Sequence, residues 1–172
     1  ADFVLFETFS DLYEAKCALL CAKEICALPV CISFTFGENS RLLDGATPEC
    51  CAVLAQSLGA VAVGVNCGFG PEQMLPLLQR MREYTALPLF CNANAGLPTE
   101  ENGQLCYHVR PAEFAKKSRA LLRAGAVLLG GCCGTGPDYI RALHILLSKT
   151  ALPEKCVHSV VQPILSKAYS CV

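Results

Sequence analysis

Ala60-Val61-Ala62-Val63-Gly64-Val65-Asn66-Cys67-Gly68-Phe69-Gly70-Pro71 is the stretch on which the reading of the fold turns. Up to Val65 it is wholly apolar and rich in valine, as expected of a strand buried on both faces of a parallel sheet. The run stops at Asn66, and Gly70-Pro71 then offers a helix start, because proline fits the first helical turn. A helix with Met74, Leu78 and Met81 on one face follows. Strand, short loop and helix together form one βα unit.

The same unit recurs on both sides, giving five in all. Upstream, Phe3 to Phe6 reads as a strand, and Asp11 with Glu14 as a helix start. Leu12, Ala15, Leu19, Ala22 and Cys26 then fall on one helical face. Val30 to Phe36 is the next strand, and Thr47-Pro48 opens a helix running through Leu58. Downstream, Pro88 to Asn92 is a strand followed by a longer loop, Ala93 to Arg110, broken by Gly96, Pro98, Asn102 and Gly103. Pro111 begins a helix whose Phe114, Ser118, Leu121 and Leu122 share a face. Ala126 to Gly130 is the fifth strand, and Gly136-Pro137 opens a helix with Ile140, Leu143 and Leu147 inward. Pro76 sits awkwardly inside the third helix, where it removes a backbone donor. The folded domain is expected over residues 1–150, with 151–172 a tail or linker toward a following domain.

Alternating strands and helices define the α/β class. Five βα units fit either an open doubly wound sheet or part of a (β/α)8 barrel, and the pattern alone does not choose. A complete barrel needs about 250 residues, so this chain of 172 is at most part of one, and its start within a strand points to a fragment.

The composition is 53% hydrophobic and 17% charged, which fits a packed globular domain and excludes a disordered chain. A net charge of −1 gives no field to attract nucleic acid or an anionic membrane. Apolar runs end well short of the roughly 18 residues of a membrane span, and no signal-peptide pattern is visible. The 13 cysteines are an odd number in a chain too aliphatic to be a secreted disulfide scaffold. A reducing cytoplasm is therefore expected. Cys17, Cys21, Cys26, Cys31, Cys50, Cys51, Cys91, Cys106, Cys156 and Cys171 are read as small buried hydrophobes. His108, His144 and His158 show no metal spacing and are read as surface or packing residues.

Functional groups of parallel α/β folds gather where strands end. The first strand ends in Glu7-Thr8, the third in Asn66-Cys67-Gly68, the fifth in Gly130-Gly131-Cys132-Cys133-Gly134-Thr135, all on one rim. Three cysteines converging there suit zinc, leaving one tetrahedral position open. Adjacent Cys132 and Cys133 would alternate in a regular strand, but the surrounding glycines relax that constraint. The competing readings are two buried thiols in a glycine turn, or a phosphate site at Gly134-Thr135-Gly136, which lacks a lysine. Glu7 either orients a substrate amine or faces solvent as a helix-flanking carboxylate. Asn92 and Asn94 either bond a ligand or shape a turn.

Gly64-Val65-Asn66-Cys67 followed by Gly130-Gly131-Cys132-Cys133-Gly134-Thr135 resembles the paired zinc motif of the homocysteine S-methyltransferase family. Asn94-Ala95-Gly96-Leu97-Pro98, Phe69-Gly70-Pro71-Glu72 and Gly136-Pro137-Asp138-Tyr139-Ile140 resemble its cobalamin-dependent methionine synthase branch more than the betaine-dependent one. The resemblance runs from about Asp2 to Leu147. It implies a (β/α)8 barrel of which this chain supplies strands four to eight. By the same resemblance Cys67, Cys132 and Cys133 are the catalytic zinc ligands, Glu7 holds the homocysteine amino group, and Asn94 lies near the substrate. The implied reaction moves a methyl group from methylcobalamin, supplied by another domain, to homocysteine, giving methionine; betaine or S-methylmethionine is the alternative donor. The implied partners are the N-terminal half-barrel and the folate and cobalamin domains, none present here. An isolated chain is therefore expected to be inactive, or to need the other half in trans; an inert zinc-binding fragment is the non-catalytic alternative.

Overall fold

The computed structural model describes residues 1–150; the expected tail over 151–172 lies outside the described residues. The elements are β1 (Val4–Phe9), α1 (Leu12–Ile25), β2 (Val30–Phe34), α2 (Pro48–Ser57), β3 (Ala62–Asn66), α3 (Pro71–Arg82), β4 (Leu89–Ala93), β5 (Thr99–Glu101), β6 (Gln104–Cys106), α4 (Pro111–Arg123), β7 (Ala126–Gly131) and α5 (Pro137–Ser148). The main sheet has five strands in the order β1-β2-β3-β4-β7, every neighbouring pair parallel. Strands taken in chain order, with a helix after each, are the partial (β/α)8 barrel, and all five C-terminal ends form one rim.

Local chemistry sets these elements. Asp11 caps α1 by accepting from Glu14 N–H at 2.8 Å, and Thr47 caps α2. Ala15, Leu19 and Ala22 are buried along α1, as their spacing predicts. The core joins Ile32, Phe34, Val63, Val65 and Leu89 of the sheet to Met74, Leu78, Met81, Phe114, Leu121 and Leu143 of the helices. Helix α3 passes through Pro76 unbroken. The carbonyl that proline leaves without a partner belongs to exposed Glu72, where water can serve it.

Several expectations need correction. Cys17 and Cys21 are exposed on the outer side of α1 rather than buried, while Cys51 and Cys91 are buried and Cys26, Cys31, Cys50 and Cys106 half-buried. On α5 Ile140 points outward and Leu146 is buried with Leu143, a rotation of the apolar face. The long loop after β4 contains the antiparallel hairpin β5–β6. Its turn is Asn102-Gly103, both left-handed at φ 52° and 77°, a pairing that matches strand twist. Beside it, exposed His108 ties to Glu101 at 3.0 Å and Thr99 at 2.7 Å, across the base of the hairpin. No helix among the described residues is long and apolar enough to cross a membrane.

Candidate metal centre

The rim is shaped at the ends of β1, β3 and β7. After Asn66, Cys67 and Gly68 both adopt left-handed backbone, φ 60° and 77°. For Cys67 that conformation costs about 1–3 kcal/mol, and it persists only where surrounding bonds impose it. Those bonds are Cys67 N–H to Asn92 O at 3.2 Å and Phe69 N–H to Cys67 O at 2.9 Å. They fold the chain over the end of β4, toward β7.

On β7, Gly130 pairs with Asn92, and a Cβ there would collide with the Asn92 amide. Gly131 leaves the same room for Thr135. Cys132 N–H bonds Ala93 O at 2.8 Å, ending the ladder. The chain then turns, Thr135 N–H closing on Cys132 O at 3.1 Å with Gly134 at φ 76°. The turn replaces the pleat, so neighbouring cysteines present both sulfurs to one side.

The sulfurs of Cys67, Cys132 and Cys133 all lie within 4.8 Å of one another, and Cys67 Sγ stands 3.6 Å from Cys133 Sγ. Sulfurs about 2.3 Å from a tetrahedral ion sit about 3.8 Å apart, so the spacing fits a three-thiolate zinc site. The electrostatics agree. Burial opposes ionisation of Cys67, but hydrogen bonds from Cys133, the Gly68 N–H, Cys132 and Asn94 outweigh it and bring its pKa below the ordinary value. Burial, then the charges of Cys67 and Cys133, push Cys132 up to about 12. Three thiolates this close need a cation among them.

Asn94 is buried, and its Oδ1 accepts from Cys133 N–H at 3.1 Å. It therefore braces the turn, and its amide helps to lower the Cys67 pKa. Asn92 packs against Gly130. Glu7 is exposed on β1, and its carboxylate is not among the clustered ligand atoms. In the phosphate reading of Gly134-Thr135-Gly136, Thr135 is lost as a donor, since both its N–H and its hydroxyl bond Cys132 O.

Two contributors escape the sequence reading. Tyr107 lays its ring against Gly134; burial, then the Cys133 sulfur, raises its pKa. Nothing in a loop sequence marks it. Asn66, fully buried, was detectable as a polar residue ending an apolar strand.

A model of the homocysteine S-methyltransferase family matches residues 1–147. The chain belongs to this family. Methionine synthase of Mycobacterium leprae is 29% identical over 181 residues, with all of this chain covered but 15% of the relative. That of Mycobacterium tuberculosis is 29% identical over 178 residues, again covering 15% of its length. The chain thus spans a small part of these curated relatives. Among solved structures, the oxidised form of the Escherichia coli homocysteine methyltransferase MmuM superposes with a TM-score of 0.70 at 27% identity, covering 84% of this chain and 45% of that one. Its metallated form gives 0.66 at 28% identity, covering 84% and 45%. Family membership fits the five-strand sheet as part of a barrel and a rim built around cysteine.

Proposed function

We propose that this chain carries the zinc centre and part of the homocysteine site of a methyltransferase that converts homocysteine to methionine. The observation that carries the reading is the meeting of three sulfurs from β3 and β7 within 4.8 Å. Cys67, Cys132 and Cys133 are the ligands, and their one-sided approach leaves the opposite position open. Zinc bound there would supply Lewis acidity, bringing a substrate thiol from a pKa of about 8.5 to a thiolate at neutral pH. Glu7 orients the substrate amine from the end of β1. Asn94 holds the Cys133 turn and so the direction of its sulfur. In the transfer the homocysteine sulfur bonds the methyl carbon while the donor keeps the electron pair of the broken bond.

The proposed donor is methylcobalamin on another domain, a choice supported by the methionine synthase relatives. Betaine or S-methylmethionine is the second reading, supported by the likeness to the MmuM homocysteine methyltransferase. The same proposal makes residues 1–150 the C-terminal part of the barrel and 151–172 a linker. It sets the chain in the cytoplasm, in keeping with eleven described cysteines that are all free thiols.

The outer strands bear exposed apolar residues, Phe3 and Leu5 at β1 and Val127 and Leu128 on β7. Unprotected edges of this kind call for a covering partner, here the N-terminal half-barrel. The test offers the chain homocysteine with methylcobalamin, betaine or S-methylmethionine, with and without that half in trans. Methionine is expected only with the half-barrel and fastest from methylcobalamin. Robust turnover by the chain alone would refute the need for the half-barrel; no zinc uptake would refute the whole reading.

A further inference from the structure

Asn66 is a buried amide with its bonding capacity used almost entirely at the rim. Its Oδ1 accepts from Thr8 N–H and from Ser33 Oγ, both at 2.8 Å. Its Nδ2 donates to Thr8 Oγ1 at 2.6 Å and reaches Cys132 Sγ at 4.0 Å. The backbone N–H of Thr8 can only donate, so the orientation of the amide is fixed by its partners. One side chain on β3 thus ties β1, β2 and the cysteine turn after β7.

What it holds on β1 is not ordinary strand. Phe6 pairs with Ile32 and Phe9 with Phe34, so β1 spends one residue more than β2 between the two pairs. This bulge contains Glu7 and Thr8, and Thr8 is left-handed at φ 66°. A β-branched residue avoids that region unless bonds impose it, and here both the N–H and the hydroxyl of Thr8 are bound by Asn66. Bulges beside functional sites re-aim the neighbouring side chain. The neighbour is Glu7.

We propose that Asn66 is a positioning residue that sets the place of Glu7 relative to the sulfur cluster, and thereby lets the site tell a thiol bearing an α-amine from one without it. This rests on the preceding functional reading. Asn66 touches neither the amine nor the methyl group; it works through Thr8 on one side and Cys132 on the other.

The test loads the 172-residue chain with Co2+, whose thiolate absorption reports both metal binding and entry of a further thiol. Homocysteine and 4-mercaptobutyrate, identical but for the amine, are titrated in turn, and the ratio of their affinities is the readout. A merely structural loss weakens both ligands alike. Asn66→Ala is expected to bring the ratio toward one, with Co2+ affinity lowered by about 10- to 100-fold, the usual effect of removing an outer partner of a metal ligand. Asn66→Asp keeps both bonds accepted at Oδ1 and is expected to restore part of the ratio. Glu7→Gln is expected to lose the ratio with Co2+ affinity unchanged. Should Asn66→Ala fail to fold, Thr8→Val carries the test, because it loses the hydroxyl bond to Asn66 and keeps the β-branched strain that bond offsets. An unchanged ratio in Asn66→Ala or, in its place, Thr8→Val overturns the inference. A wild-type chain that takes up no Co2+ overturns the functional reading and this inference with it.

Discussion

Cys67 Sγ and Cys133 Sγ stand 3.6 Å apart although 66 positions separate them in the chain. Sulfurs brought that close by two turns remote in sequence have the spacing of a ligand pair, whereas Cys50, on α2, belongs to a helix cap with Thr47. Cys67→Ser is therefore expected to lose zinc and Cys50→Ser to keep it. The loss should exceed the roughly 100-fold set by removal of an outer partner. Metal analysis after dialysis against a weak chelator checks this; equal zinc in the two variants would remove Cys67 from the site.

Metal uptake should also depend steeply on pH. Cys132 keeps its proton up to about 12 without a cation, so binding must displace that proton at neutral pH. Each displaced proton raises the apparent affinity about tenfold per pH unit. Zinc affinity is thus expected to increase from pH 6 to pH 8 with a slope of at least one, measured by chelator competition. A flat profile would mean that Cys132 is not a ligand.

Much of this was legible beforehand, because strands buried on both faces and proline-led helices write their pattern directly into sequence. That the sulfurs of Cys67, Cys132 and Cys133 would meet was legible for a related reason: strand ends share a rim. The β1 bulge was not, since Glu7-Thr8 carries no turn residue and the extra residue is imposed by Asn66 from 58 positions away. The β5–β6 hairpin was half legible: Asn102-Gly103 was marked as a break, but the three-residue strands are too short to show alternation. Exposed Cys17 and Cys21 were misread by residue type: helical spacing sets them off the buried Ala15-Leu19-Ala22 face, and a small apolar thiol tolerates either side.

Burial of thiols away from the centre gives a separate pH effect. Cys51 and Cys91 are wholly buried, and burial raises both thiols above the ordinary value. Above about pH 8.5 the unfolded chain ionises these thiols while the folded chain keeps them protonated. The unfolded state then binds fewer protons, so stability falls as pH rises; it is fully present below the unfolded pKa. The loss should approach about 1.4 kcal/mol per pH unit for each such thiol. Urea unfolding of chelator-treated chain at pH 7.5 and pH 10 checks this, and Cys91→Ala should flatten the slope.

Gly134 offers the sharpest separation of backbone from ligand effects. It holds φ 76°, which an alanine adopts only with strain, and a Cβ there would enter the Tyr107 ring. Gly134→Ala is therefore expected to cost about 1–3 kcal/mol of stability. It should also weaken zinc binding, since the same turn aims the Cys133 sulfur. Tyr107→Gly separates the two causes: it removes every atom a Cβ at position 134 would meet, the Tyr107 Cβ and Cγ included, but leaves the backbone strain there. If Gly134→Ala is rescued in stability by Tyr107→Gly in the double variant, the side-chain contact dominates; if the deficit persists, the left-handed turn does. Thermal unfolding and zinc affinity measured on all three variants decide between the two. Wild-type values for Gly134→Ala in both measurements would show that the turn after β7 does not need its present geometry to gather the cysteines.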